Sequence, residues 1–483
     1  MTRTHAAGGT RLGMRAPMIA AALVAACSPP PAQAGDPAAV ADGFAVSYAA
    51  GARDAAGRFM GGTELRVLAA HGGRLYAGNG YWEDRPGPEG PQGATILVLD
   101  APGARWRVDH VFEARLPSGR PRDLAVSALA AVTFATDGAG APLPDPVSLL
   151  IAANWDLSGS ARVFSRDDAT GAWTAMTLAQ DPPNPAFLPQ VRSVGQHRDR
   201  VTGVDRVFAG QDPRGIFSGV YDPARPGRID WSATPELALA DVSPAGIAGR
   251  NGYVRVMSFA ECNDRLYAAV GQHIYERVDG ATPRWRPVWT NPRPGFSETG
   301  LRGLTAIPSP AGAGAVLLVA VEGTAARLVR VDPRDGSAVS ELELADFLGR
   351  HWGMPAGYAI VAYNDMARLR DPAGGEALLI GIETFIPPRG PIAGDHTVVD
   401  VGYGRLESGG WYLVRQPDAH YRLGQVGAPP GRALVSVRTI RVAPFPQEPD
   451  AIYFGGYDAN KASAHDTAWI RRATTATALD AAR

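Results

Sequence analysis

Two columns of polar residues recur at matching places along this chain, and they are where its chemistry would sit. Asn79, Asn154, Gln211, Glu322 and Glu383 each follow an apolar run, as in Leu378-Leu379-Ile380-Gly381-Ile382 before Glu383. Arg66, Arg192, Arg255, Arg302 and Arg438 each sit inside an apolar-Arg-x-apolar phrase. A polar type repeated this regularly usually satisfies the repeat itself, with Arg reaching carbonyls or carboxylates between units. Arg302 and Glu322 are expected to face each other across a hairpin. Glu383 departs from the pattern, because Ala359 stands where its arginine should be. A desolvated carboxylate without its cation is costly unless a metal, a proton or another arginine compensates. Glu383 is therefore expected to be a ligand or an acid/base group, and Glu322 a structural one.

Polar loops surround the same end of the repeat. The longest insertion, Thr384 to Gly404, carries Asp395, His396 and Asp400, and the segment Tyr457 to Thr467 carries Asp458, Asn460, Lys461, His465 and Asp466. Gly80 to Gly93 holds Tyr81, Trp82, Glu83 and Asp84, and a further loop holds His351 and Trp352. Ligand binding is expected at Glu383, Asn79, Asn154, Gln211, His351 and Lys461, since long polar loops on a rigid scaffold are where binding normally sits. A metal centre would draw on Glu383, His396, His465 and Asp458, a nitrogen and oxygen set suited to zinc. Glu383 with Asn79 and Asn154 would instead suit calcium. No compact ligand motif favours either ion, so the cofactor stays open between none, calcium and zinc. There is no His-Glu-x-x-His, Gly-x-Ser-x-Gly or Cys-x-x-Cys. A phosphate loop around Lys461 is excluded by Asn460 and Ala462, which stand where Gly and Ser or Thr belong.

The elements that must position these residues are short strands. Gly72-Gly73-Arg74-Leu75-Tyr76-Ala77-Gly78-Asn79-Gly80 is a turn followed by an apolar strand, and seven loose copies of it follow one another along the chain. Each begins with a strand that bears the Arg except in the second and sixth copies, and continues through a third and, except in the last copy, a fourth. Trp106, Trp173, Trp231, Trp285 and Trp411 are read as opening the fourth strand, with Val339 in that place once. Such spacing is the signature of a radial repeat with one four-stranded sheet per copy. The last copy lacks a fourth strand, and Phe44-Ala45-Val46-Ser47-Tyr48 near the other end is a strand to spare. The chain thus resembles an all-β, seven-bladed β-propeller closed by its N-terminal strand. Ser165 to Trp173 resembles a degenerate Asp-box of sialidase-like propellers. A sialidase site would need clustered arginines, a Tyr–Glu pair and an acid, which the sequence does not map. The Glu and Asn set at the mouth resembles that of calcium-dependent lactonase and esterase propellers.

Arg3, Arg11 and Arg15 precede a short apolar run, Met18 to Ala26, which reads as a secretory signal. Leu23-Val24-Ala25-Ala26-Cys27 resembles the lipobox of bacterial lipoproteins, with Cys27 as the lipidated residue; cleavage after Ala32-Gln33-Ala34 is the alternative. The expected organisation is a signal over 1–26, a tether over 27–42, one propeller domain over 43–475 and a tail over 476–483. Cys262 has no second mature cysteine to pair with and is expected to be buried. A formal net charge of -1 argues against a nucleic-acid footprint. The function expected is a monomeric, exported binding module of the cell envelope, facing the outer membrane or periplasm. Its partner would be an envelope protein, a glycan or a small molecule, with membrane contact only through the lipid. The alternatives are a soluble periplasmic or secreted protein, and a metal-assisted hydrolase of the lactonase, esterase or glycosidase type.

Overall fold

Runs such as Thr95-Ile96-Leu97-Val98-Leu99 are short, rich in aliphatic and β-branched residues, and separated by Gly- and Asp-bearing turns, which favours strands. The computed structural model describes residues 43–81, 89–90, 92–180, 190–242, 254–297, 299–312, 314–353, 356–363, 366–370, 374–386, 405–406, 409–427, 436–457 and 466–482. Strand dominates them, and helix is confined to Leu239–Val242, Leu344–Trp352 and Thr475–Asp480. Among the described residues no helix is long and apolar enough to cross a membrane. The signal, Cys27 and the whole of the expected tether lie outside the described residues.

The strands pair as successive antiparallel meanders. In the first unit Glu64–His71 pairs with Arg74–Gly80, which pairs with Thr95–Leu99, which pairs with Arg107–Val111. Asp123–Thr136, Pro142–Asp156, Ser160–Arg166 and Trp173–Gln180 repeat this order, as do Val256–Cys262 through Arg284–Thr290 and Leu301–Pro308 through Ala338–Glu343. The third unit splits its outer strand into Ile229–Trp231 and Leu237–Ala238. The sixth splits its first strand into Tyr358–Val361 and Ala367–Arg370. In the last unit Ser436–Val442, Ala451–Tyr457 and Trp469–Thr474 are joined by Ala45–Ala49, antiparallel to Trp469–Thr474.

Apolar side chains are buried between neighbouring sheets rather than within one. Leu65, Leu68 and Leu97 of the first unit share a core with Tyr453 and Ile470 of the last. Ile151 and Val163 do so with Val207 and Phe217, and Leu318 and Leu328 with Leu378 and Ile380. Hydroxyls stitch the first strands together: Ser127 donates to the Val191 carbonyl at 2.6 Å, Ser193 to Val256 at 2.9 Å and Ser258 to Arg302 at 2.6 Å. Each such bond contributes about 0.5–1.5 kcal/mol net.

Farther out, a third-strand arginine reaches back to an acid of the preceding unit. Arg166 grips Asp109 at 3.0 and 3.1 Å, Arg277 grips Glu236 at 2.8 Å, and Arg415 grips Glu341 at 2.8 Å. These arginines belong to the second, fourth and sixth units.

Three expectations are corrected here. Trp411 opens the third strand of its unit, since Trp411–Arg415 lies between Glu376–Ile386 and Tyr421–Gln425. His351 and Trp352 end a helix rather than lying in a loop; that helix, Leu344–Trp352, stops at Gly353 in the left-handed conformation. Residues read as a tail include the helix Thr475–Asp480, capped by Thr474, whose hydroxyl accepts from the Thr477 amide at 3.0 Å. It buries Ala478 and Leu479 against Phe44 and Tyr412.

Candidate functional site

The arginine column is placed by β-bulges. A bulge inserts an unpaired residue and re-aims its side chain. The register shifts between Leu65 and Val67, Val191 and Ser193, Leu301 and Leu304, and Val437 and Thr439, setting Arg66, Arg192, Arg302 and Arg438 in the bulges. In the fourth unit the shift falls between Val256 and Ser258, so Met257 holds that place and Arg255 precedes it. The sequence phrase Val254-Arg255-Val256-Met257 matched the motif two residues out of step. Arg255 still reaches inward and donates to the Thr299 hydroxyl at 2.7 Å.

These guanidiniums meet buried carboxylates. Arg302 Nε contacts Glu322, whose other oxygen accepts from Tyr358, so the expected Arg302–Glu322 pair forms. Burial works against the Arg302 charge, but the adjoining Glu322 carboxylate more than offsets it and raises the arginine's pKa. Arg192 pairs with Asp212, which also accepts from the Val256 amide at 3.3 Å. Arg438 and Arg66 flank Glu64, with Arg66 Nε 3.5 Å from its carboxylate. Burial pushes both arginines down to about 10.

Glu383 lacks an arginine in its own unit and finds phenols instead. Tyr363 and Tyr457 both donate to its Oε2, and Ser436 donates to the Tyr363 hydroxyl at 3.2 Å. The Arg438 guanidinium lies 3.8 Å from the centroid of the Tyr363 ring, and that of Arg302 lies 5.3 Å away. Burial raises the Glu383 pKa, against the pull of Tyr363, Tyr457, Ser436 and Arg302; both tyrosines are pushed well above their ordinary range. Sequence reasoning missed both phenols. Tyr457 ends its strand, one residue beyond Gly456, at which the repeat was read to stop, and Tyr363 follows the first half of a split strand. The signal available was Tyr457 at the end of an apolar run, the place held elsewhere by Asp212 and Glu322.

A stability consequence follows from the raised Glu383 pKa. The folded chain holds that proton to higher pH than the unfolded chain does. Stability therefore falls as pH rises from the ordinary glutamate value through the folded pKa. Glu383→Gln does not titrate. Its melting temperature is expected to gain on wild type across that window and to equal or exceed it at pH 8. Parallel melting curves from pH 4 to 8 would remove this account.

The other candidates part company. Asn79 is fully buried and committed, donating to the Gly61 carbonyl and to Tyr48 at 3.3 Å and accepting from the Gly80 amide at 2.8 Å. Gln211 closes a turn through the Asp212 carbonyl at 2.6 Å and the Arg214 amide at 3.0 Å. Asn154 donates to Asp123 at 3.2 Å, within a network in which Arg162 bridges Asp123 and Asp156. Asn79 thus uses both its amide oxygen and its amide nitrogen, whereas Asn154 commits its nitrogen and leaves its Oδ1 buried without a hydrogen bond among the described residues. His351 is exposed, its ring meeting Trp411 at 6.0 Å, and it is not a partner of Glu383 among the described residues. Lys461, His396, His465 and Asp458 lie outside them. Among the described residues no three His, Cys, Asp or Glu side chains group as a metal site. Cys262 is free and buried, and burial pushes its thiol up to about 11.

No protein-family model matches the chain, and no curated protein matches it in sequence. Solved structures do match. A sialidase of Trypanosoma rangeli in complex with the inhibitor DANA is 11% identical, with a TM-score of 0.35, over 89% of this chain and 58% of its own. A GH74 enzyme of Niastella koreensis is 14% identical, with a TM-score of 0.42, over 86% of this chain and 53% of its own. A Lactobacillus plantarum protein is 12% identical, with a TM-score of 0.42, over 85% of this chain and 99% of its own. The chain thus spans little more than half the length of the sialidase and the GH74 enzyme. These likenesses are distant, and no residue's role is transferred from them.

Proposed function

We propose that the chain forms a seven-bladed propeller, closed by Ala45–Ala49, whose central Arg, Glu and Tyr cluster binds a small anion. The ring is supported by the pairing of Ala45–Ala49 with Trp469–Thr474 and by the core that the first and last units share. The anion reading rests on Arg66. Its Nη1 is buried and has no hydrogen-bond acceptor among the described residues, a state that costs the full desolvation of the donor. The local charge agrees. Arg66, Arg192, Arg255, Arg302 and Arg438 face Glu64, Asp212, Glu322 and a Glu383 that burial pushes toward neutrality. An entering anion supplies the missing acceptor and balances the surplus.

A hydrolytic role has less behind it. A Tyr–Glu pair beside arginines is equipment for a phenolic nucleophile, yet burial drives Tyr363 and Tyr457 away from the phenolate form. The metal-assisted version would need His396, His465 and Asp458, for which no geometry is described.

At constant ionic strength, acetate or sulfate should raise the melting temperature of wild type saturably against chloride. Arg66→Met should weaken that binding about tenfold or more, the worth of one charge-assisted hydrogen bond. Identical melts in acetate, sulfate and chloride would rule the reading out. Export with lipidation at Cys27 belongs to the same proposal: labelled palmitate should be incorporated, and Cys27→Ser should abolish the label. A wild-type protein that takes up no label would refute that part alone.

A further inference from the structure

Two histidines hold matching places in the repeat and meet matching acids. His71 ends the first strand of the first unit, and His197 is next to last on that of the third. Both side chains are 2% exposed. Each reaches forward to an aspartate of the next unit, two residues beyond a third-strand arginine. His71 Nε2 meets Asp168 at 2.6 Å, and His197 Nε2 meets Asp279 at 3.1 Å. Arg166 and Arg277 donate to those same aspartates, at 2.6 and 2.5 Å.

The second ring nitrogen sets them apart. His197 Nδ1 meets Glu261 at 2.6 Å, on the first strand of the fourth unit. An ionised carboxylate only accepts, and a neutral imidazole has one N–H to give. Holding both acids therefore takes the imidazolium. His71 has one ring nitrogen on one acid among the described residues, and a neutral ring can supply that bond. The charged groups around His197 are Glu261, Asp279 and Arg277, with Arg206 opposite it in register and Asp199 and Glu236 on Arg277. Within these contacts Asp199, Glu236, Glu261 and Asp279 share Arg277 and His197 as their cations. Loss of the ring proton leaves those four carboxylates to Arg277 alone.

We propose that His197 is a pH-sensitive latch between the third and fourth sheets, closed while its ring is protonated and released when it is not. Burial works against the charge on the ring, but the bonds to Glu261 and Asp279 overcome it and raise its pKa. Such a group contributes stability that is whole below the ordinary histidine value of about 6.5 and is lost as pH rises through the folded value. The latch therefore weakens from neutral toward alkaline pH.

Melting temperatures of wild type and His197→Gln from pH 6 to 9 test this, with the ring nitrogens of labelled histidine followed by NMR. Wild type should melt above His197→Gln at pH 6, and the gap should close by pH 9. The ring signal lost in His197→Gln should show both nitrogens protonated at pH 7. Glu261 is 54% exposed, so Glu261→Gln keeps the fold and identifies the same ring should His197→Gln not fold. It should lower the pH at which that ring gives up its proton. A gap absent at pH 6 or still open at pH 9 would overturn the latch. So would a ring already neutral at pH 7, or one whose titration Glu261→Gln leaves in place.

Discussion

Replacing Arg277 with methionine should cost the fold about 3–5 kcal/mol, because it strips the cation from a buried cluster of acids. Arg277 is fully buried on the third strand of its unit. Its Nη1 donates to Asp199 at 2.8 Å and to Asp279 at 2.5 Å, and its Nε donates to Glu236 at 2.8 Å. Burial works to raise the Asp199 pKa, but the Thr202 amide and Arg277 overcome it and hold that carboxyl well below its usual range. In the variant three carboxylates remain with His197, which contacts Asp279 at 3.1 Å and Glu261 at 2.6 Å. A depressed carboxyl contributes stability at neutral pH that is lost as pH falls through its folded value. Wild type therefore holds an advantage at pH 7 that narrows in acid, where the variant's acids take up protons. Urea midpoints of the two proteins at pH 7 and pH 4 measure this. A loss under about 1 kcal/mol at pH 7, the level of an exposed pair, would show that the cluster is not desolvated in solution.

Deleting residues 1–57 should abolish soluble, cooperatively melting protein, while deleting residues 1–36 should leave the melt unchanged. The first deletion removes Ala45–Ala49 and uncovers the backbone of Trp469–Thr474, an open edge that templates aggregation. It also removes Phe44, fully buried with its ring centroid 5.5 Å from that of Phe454, and Tyr48, which donates to the Gly61 carbonyl at 2.9 Å. Phe44→Ala separates packing from pairing and should cost about 3–5 kcal/mol with the strand still in place. If both deletions melt and aggregate alike, Ala45–Ala49 does no structural work.

Strand grammar was legible because it is local. Thr95–Leu99 and Arg327–Val331 follow from aliphatic runs bounded by turn residues, and Arg302 opposite Glu322 follows from counting across one hairpin. Register was legible only to within two residues. A bulge adds a residue without a composition cue, so Arg255 was matched where Met257 stands. The partners of Glu383 were harder still. Tyr363 comes from the sixth unit and Ser436 and Tyr457 from the last, and only the packing of neighbouring sheets brings their hydroxyls together. The helix Leu344–Trp352 was hidden for another reason. Its nine residues bury just Leu344 and Leu348, too few to set a helical period against the strand repeats on either side.

The backward reach of Arg166, Arg277 and Arg415 divides the sheets into clasped couples: first with second, third with fourth, fifth with sixth. The last unit, assembled from both ends of the chain, meets the first through Arg438 on Glu64, nearer the start of its first strand. Local opening follows the weakest boundaries, so amide exchange should not report one uniform protection factor. Amides on either side of a clasp should exchange together, as one cooperative block. Those of Trp469–Thr474 and Ala45–Ala49 should exchange earlier and on their own. Pulled from its two ends, the molecule should give way first at that unit, which holds both termini, and then release its remaining sheets two at a time.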